Sequence, residues 1–242
     1  MFRHTGNVRR FKHDSALAFF LSFVAGTVNI TGLLSLNILT TNVTGHFANY
    51  AESLYYLDYT RAAMFLLFII IFLAGAFVST FLLEAGMHRG FKLPYLPALS
   101  VEIILLAIAG SHFFFPNHSK VVLASTLLFA MGLQNALVTR VSKSVIRTTH
   151  MTGLFTDMGI ELAQLFFYKA EGQRQKLTRS IGLRLIIVLS FLAGCIAGGA
   201  IYQVWLLKTL WVAVAILVGI SIYDSFSVWS DRELAAEEEV QD

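Results

Sequence analysis

The feature that most constrains this chain is a succession of unbroken apolar runs, each about as long as a bilayer is thick. A helix that crosses the roughly 30 Å hydrocarbon core needs about 20 mostly apolar residues, each rising 1.5 Å. Six segments meet that requirement: 15–36, 61–83, 93–115, 120–139, 181–202 and 206–227. They are continuous rather than alternating, and too long for barrel strands, so they read as helices. Composition agrees. Of the 242 residues, 56% are hydrophobic and 14% are charged, against about 25% charged in an average soluble domain. That charge cannot clothe a globule in water. It excludes a soluble enzyme, a disordered chain and a disulfide-rich secreted scaffold. The one cysteine, Cys195, lies inside an apolar run. It permits no internal disulfide and reads as a small packing residue.

The basic residues set an orientation. Arg3, Arg9, Arg10 and Lys12 precede the first run; His88, Arg89 and Lys92 separate the second from the third. Arg140, Lys143, Arg147, Lys169, Arg174, Lys176 and Arg179 separate the fourth from the fifth. The alternate connections hold only Arg61, Lys120 and Lys208, each at a run's edge. The positive-inside rule therefore predicts both termini in the cytoplasm. The net charge of +3 is a matter of membrane orientation, and no nucleic-acid partner is expected. The first run is too long for a signal peptide and no A-x-A site follows it, so it is expected to remain as a span. Tyr55, Tyr56, Tyr59, Trp205 and Trp229 fall near predicted span ends, where amphipathic rings suit the interface. The expected organisation is a basic cytoplasmic N-terminus over 1–14, one transmembrane domain over 15–230, and an acidic, solvated, partly disordered tail over 231–242.

Two stretches, 41–57 and 150–168, are half apolar and helix-compatible. As full spans they would make eight crossings and carry Arg89, Lys92 and Arg140 to the outside, against the charge rule. They are therefore expected as interfacial or re-entrant elements beside six crossings. They also belong to an internal repeat. Ala25-Gly26-Thr27-Val28-Asn29 matches Met131-Gly132-Leu133-Gln134-Asn135. Thr41-Asn42-Val43-Thr44-Gly45 matches Thr149-His150-Met151-Thr152-Gly153, and Phe72-Leu73-Ala74-Gly75 matches Phe191-Leu192-Ala193-Gly194. One two-residue insertion aligns the halves, and the order is kept. The expected fold is all-α and polytopic: two three-helix units, 15–115 and 120–227, with broken or re-entrant elements after spans one and four. Three spans per unit is odd, so the units are inverted, a common plan of secondary transporters.

The repeat locates the candidate chemistry. Thr44 and Thr152 stand where hydroxyls can cap free N–H groups, and Gly45 and Gly153 where a sharp backbone change is expected. Together with Thr41, Thr149 and His150 they define either a paired solute or ion site near the midplane, or two capped helix starts at the surface. Downstream, Asp157, Glu161 and Gln164 share one helix face. Their first-unit equivalents are Asn49, Ser53 and Tyr56, so only the second copy is acidic. Two carboxylates one turn apart can bind a cation or exchange a proton, or simply face the cytosol. Glu102, halfway along the third run, should face the bundle interior, because a charge at a helix centre costs about 2.5–3.5 kcal/mol on insertion scales. Asn29, Gln134 and Asn135 can cross-link helices or line a pathway. Gly194 and Gly198 allow a close helix contact, within the molecule or between two copies. No phosphate-binding loop, zinc-protease, serine-hydrolase or Cys-x-x-Cys motif is present. The sequence assigns no catalytic residue, metal ligand or cofactor.

Phe23-Val24-Ala25-Gly26-Thr27-Val28-Asn29, Thr44-Gly45-His46, Gly132-Leu133-Gln134-Asn135-Ala136 and Arg147-Thr148-Thr149-His150-Met151-Thr152-Gly153 resemble the YoaK-like family of small bacterial multi-pass membrane proteins. The resemblance covers about 15–227. It departs where that family usually has Val-Asp in place of Val28-Asn29, and Met-Thr-Gly-Asn in place of Val43-Thr44-Gly45-His46. It implies a six-helix protein of the bacterial inner membrane and supplies no substrate. The leading expectation is a secondary transporter for a small solute, anionic or proton-coupled. The alternative is a non-transporting module that binds lipid or a partner protein through the basic stretch 140–179. An intramembrane lipid enzyme using Asp157 and Glu161 ranks last.

Overall fold

The computed structural model describes residues 11–111, 120–142 and 146–241, with side chains over 14–111, 120–142 and 146–226. Arg3, Arg9, Arg10, Lys143 and residues 112–115 lie outside the described residues, as do the side chains of Lys12, Trp229 and the tail. Among the described residues regular structure is helical throughout. The order is α1 (Phe11–Leu36), α2 (Val43–Tyr55), α3 (Tyr59–His88), α4 (Leu96–Gly110), α5 (Lys120–Val141), α6 (Met151–Phe167), α7 (Glu171–Trp205) and α8 (Leu210–Gln241).

Four helical stretches are long and apolar enough to cross a membrane: Asp14–Leu36, Tyr59–His88, Lys120–Val141 and Glu171–Phe226. The last, at 56 residues, would measure about 84 Å if straight, more than twice the hydrocarbon core. It is broken at Leu206, whose φ of 51° is left-handed, and by a short 3-10 turn, Leu206–Thr209. Both α7 and α8 then pack on α1. On α3 the side chains of Leu66, Ile70, Leu73, Phe77 and Phe81 are exposed, as are Leu185, Leu189, Leu192 and Ile196 on α7. These are apolar stripes at helical spacing, suited to lipid contact.

Several predicted boundaries are corrected. The third run yields only the 15-residue α4, about 22 Å long and shorter than the core. Pro94 and Pro97 at its start delay the helix, since proline belongs to a first turn and not to an interior. Conversely α7 starts ten residues before the predicted 181, at Glu171. The segment 171–180 is polar but rich in the helix formers Glu, Gln, Arg, Lys and Leu, which a hydropathy reading ignores. Arg174, Lys176 and Arg179, expected in a loop, are therefore exposed on helix α7. The tail, expected to be partly disordered, continues α8 as far as Gln241; its Ala, Leu and Glu content propagates a helix already nucleated upstream.

The core is built on two close crossings, α1 with α7 and α3 with α5. Glycine makes each one. A Cβ added to Gly26 would overlap the Phe191 carbonyl oxygen, and one added to Gly194 would overlap that of Phe23. In the other crossing, a Cβ on Gly75 would overlap the Phe129 carbonyl and one on Gly132 the Phe72 carbonyl. Backbones touch at both places, which only a residue without a side chain permits. The Cys195 thiol donates to the Gly26 carbonyl at 3.4 Å, and the Thr27 hydroxyl to that of Gly194 at 3.3 Å. Gly198 lies against Thr27 and Ile30. Gly194 and Gly198 are thus committed to α1 within the molecule. Of the two alternatives, a contact within the molecule or between copies, the structure uses these glycines in the former.

Candidate functional site

The two repeated polar elements are built alike. Helix α1 ends at Leu36, and Asn37 takes a left-handed φ of 58°, which asparagine adopts at little cost. The chain then turns back, and Asn29 on α1 catches it. Its Oδ1 accepts the Thr41 backbone N–H at 3.2 Å and the Thr41 hydroxyl at 3.0 Å. In the second half Asn135 on α5 does the same, its Oδ1 accepting the Thr149 hydroxyl at 3.1 Å. These two asparagines tether the start of the following helix rather than cross-linking spans. Gln134 does cross-link: its Nε2 donates to the Leu21 carbonyl of α1 at 2.7 Å.

The expected roles of the Thr-Gly pairs are corrected. Helices α2 and α6 start at Val43 and Met151, so Thr44 and Thr152 lie inside the first turn and cap nothing. The cap of α2 is Asn42, whose Oδ1 accepts the Gly45 N–H at 3.0 Å. At α6 the cap position is His150, which makes no side-chain cap bond. Neither Gly45 nor Gly153 has a positive φ; both are ordinary helical residues. Their service is space: a Cβ on Gly45 would crowd the Asn42 amide, and one on Gly153 would overlap the His150 ring. The residue before each helix folds its side chain over the missing methyl.

The carrier helices hold these elements differently. His46 of α2 is buried. Its Nε2 donates to the Leu39 carbonyl at 2.9 Å, and its ring lies 6.0 Å from that of Phe65 and 5.6 Å from that of Phe68 on α3. Helix α6 is held on α7 by charge. Arg184 bonds Glu161 and the Ser180 hydroxyl through Nη1, and Asp157 through Nη2 at 3.2 Å. The acidic stripe is therefore engaged by an internal cation, Arg184. Arg184 escaped sequence analysis because it sits inside a predicted span. Asn49 offers only its carbonyl, to the Ser53 hydroxyl at 2.7 Å.

Both elements open on one cavity of about 850 Å³. Asn29, Thr41, Asn42 and Thr44 line it from the first half, and Asn135, Thr149, His150 and Thr152 from the second. Its apolar wall comprises Leu39, Phe47, Ile69, Phe72, Leu73 and Phe191 among others, and no Asp, Glu, Lys or Arg lines it. Phe72 and Leu73 stand at the middle of the 30-residue α3, about 20 Å from either end. Sequence reasoning missed this wall, although Phe72 and Phe191 are the first residues of the repeated Phe-Leu-Ala-Gly and carried the signal. Gly45, Asn49, Glu102, Gln134, Gly153, Asp157 and Glu161 do not line the cavity. Glu102 is fully buried on α4, and neither carboxyl oxygen has a hydrogen-bond partner among the described residues. Among the described residues no group of three or more His, Cys, Asp or Glu is placed to hold a metal ion.

Comparison with family profiles matches residues 17–223 to DUF1275, described as a protein of unknown function. No curated protein and no solved structure matches.

Proposed function

The chain belongs to the DUF1275 family, and from that premise we propose that it is a small multi-pass permease whose solute passes through the cavity shared by its two halves. One observation carries this reading: the repeat-related pairs Asn29–Thr41 and Asn135–Thr149 come from opposite halves yet line one cavity. That cavity also reaches the middle of the 30-residue apolar helix α3. Solute sites at the interface of two inverted repeats, beside broken helices, are the plan of many secondary transporters.

Two inverted units describe the architecture, with α1, α3 and α4 as the spans of the first and α5, α7 and α8 as those of the second. The paired crossings support it. Span one of the first unit meets span two of the second through Gly26 and Gly194, and the reciprocal pair meets through Gly132 and Gly75. On this reading residues 15–230 form one transmembrane domain, and the charge pattern puts both termini in the cytoplasm. The resemblance of 132–136 and 147–153 to YoaK-like proteins supports a bacterial cytoplasmic membrane. Glu102 is kept as a candidate coupling group, since intramembrane carboxyls without partners are functional by default.

A screen for uptake into vesicles containing the purified protein tests the reading, with Thr44→Val and Thr152→Val as controls. Neither hydroxyl makes a hydrogen bond among the described residues, so the variants should fold normally and lose most uptake. If both variants transport at the normal rate, the cavity is not the path. The second reading, a module that binds an anionic leaflet, is favoured by Arg174 and Arg179 exposed on α7. It predicts that neutralising these arginines releases vesicle binding and leaves Thr44→Val silent.

A further inference from the structure

The solute's chemical class can be read from the donors around the cavity. We infer that the site takes an organic monocarboxylate, its carboxylate among the polar groups and its body on the phenylalanine wall; this rests on the permease reading above.

The polar end of the cavity offers backbone N–H and amide NH2 donors, with hydroxyls that can turn to donate and no carboxylate. Asn29 is only 8% exposed. The Thr41 backbone N–H can only donate, so the group facing it must be the Asn29 oxygen. The Asn29 NH2 group then has no hydrogen bond among the described residues, and Asn29 lines the cavity. Asn135 accepts the Thr149 hydroxyl at its oxygen, and its NH2 group is the second amide donor of the lining. The first-turn N–H groups of Val43, Thr44, Met151 and Thr152 have no intrahelical acceptor, and all four residues line the cavity. The Thr44 and Thr152 hydroxyls are free to turn their hydrogens to a ligand.

Charge fixes the valence. Each helix N-terminus amounts to roughly half a unit of positive charge. Two of them, with no carboxylate and no Lys or Arg in the lining, balance about one negative charge. A phosphate dianion would lack a guanidinium or ammonium partner, and a cation would face the positive ends of two helices with no carboxylate to offset them. The wall of Phe47, Phe72 and Phe191 then requires an apolar body, and a cavity of about 850 Å³ accommodates one of drug-like size.

The experiment is equilibrium dialysis of the full-length protein in nanodiscs, with empty nanodiscs as the blank. The probes are 4-phenylbutyrate, 4-phenylbutanamide and 4-phenylbutylamine, which differ only in the head. The expected order is carboxylate above amide by about tenfold, the loss typical of a hydrogen bond to a charged group, with no binding of the amine. Asn29→Asp keeps the acceptor for Thr41 but replaces the NH2 group with negative charge, and should abolish carboxylate binding. Because that variant can fail to fold, Thr152→Val serves beside it; it loses no internal hydrogen bond and should weaken the carboxylate about tenfold. Equal binding of all three probes, tighter binding of the amine, or no binding of any overturns the inference. In each of those cases two-sided thiol accessibility of the cavity still decides the permease reading separately.

Discussion

Helices α2 and α6 begin with matching sequence segments and are tethered alike but clamped differently. Each is caught at its start by an asparagine one helix earlier, and each puts a Thr into the shared cavity. Beyond that turn they part. Helix α2 buries His46 between Phe65 and Phe68 and also buries Ser53, whereas α6 buries only Leu154. What α6 lacks in burial it replaces with Arg184, which joins α7 to Asp157 and Glu161. The conserved geometry lies at the cavity and the divergent chemistry lies away from it. Packing makes the first element a fixed wall. A partly solvated ion-pair network holds the second, and such a network is sensitive to ionic strength.

The comparison breaks first at the crossings, where the halves should behave identically. Gly26→Ala and Gly132→Ala each drive a methyl into a backbone carbonyl. Each should cost about 3 kcal/mol, the upper end for an overpacked core, in reversible denaturation in mixed micelles. A tolerated substitution in one half only would end the structural equivalence. Next, His46→Ala removes a buried ring and the Leu39 bond. It should cost about 2 kcal/mol and raise amide exchange in α2 while leaving α6 unchanged. Arg184→Ala should cost about 1 kcal/mol, between a surface pair and a buried one. It should raise exchange in α6 alone, and added salt should mimic it in the native protein but not in α2. Smallest of all, Thr44→Val and Thr152→Val should shift stability by less than about 0.5 kcal/mol while removing most solute transfer. That separation of stability from function distinguishes the cavity from the clamps.

Much of the framework was legible in the sequence because the bilayer imposes a length. The cores of α1, α3, α5, α7 and α8 follow from apolar runs, and α2 and α6 from shorter mixed segments. The repeat was legible because its polar residues cannot match by hydrophobicity alone, and the structure brings Asn29, Thr41, Thr44 and their counterparts to one cavity. What escaped were choices made by local space and by partners distant in sequence. A Thr-Gly pair looks like a cap, yet the cap is Asn42, because the helix starts one residue before Thr44. Arg184 pairs with residues more than 20 positions away, which spacing on one helix cannot reveal. Phe72 and Phe191 were legible only as members of matching Phe-Leu-Ala-Gly segments, because the cavity they line is made by helix starts distant in sequence.

The most direct test of a shared, alternating cavity is thiol labelling from both sides of an oriented membrane. In a Cys195→Ser background, which keeps a donor to Gly26, single cysteines at Thr44 and Thr152 are exposed in turn to a membrane-impermeant reagent on each face. The account predicts that each position reacts from both faces, and that a saturating solute slows both together. Thr44 reacting from one face only and Thr152 from the other only would contradict it, for the two elements would then be separate surface caps with no path between them.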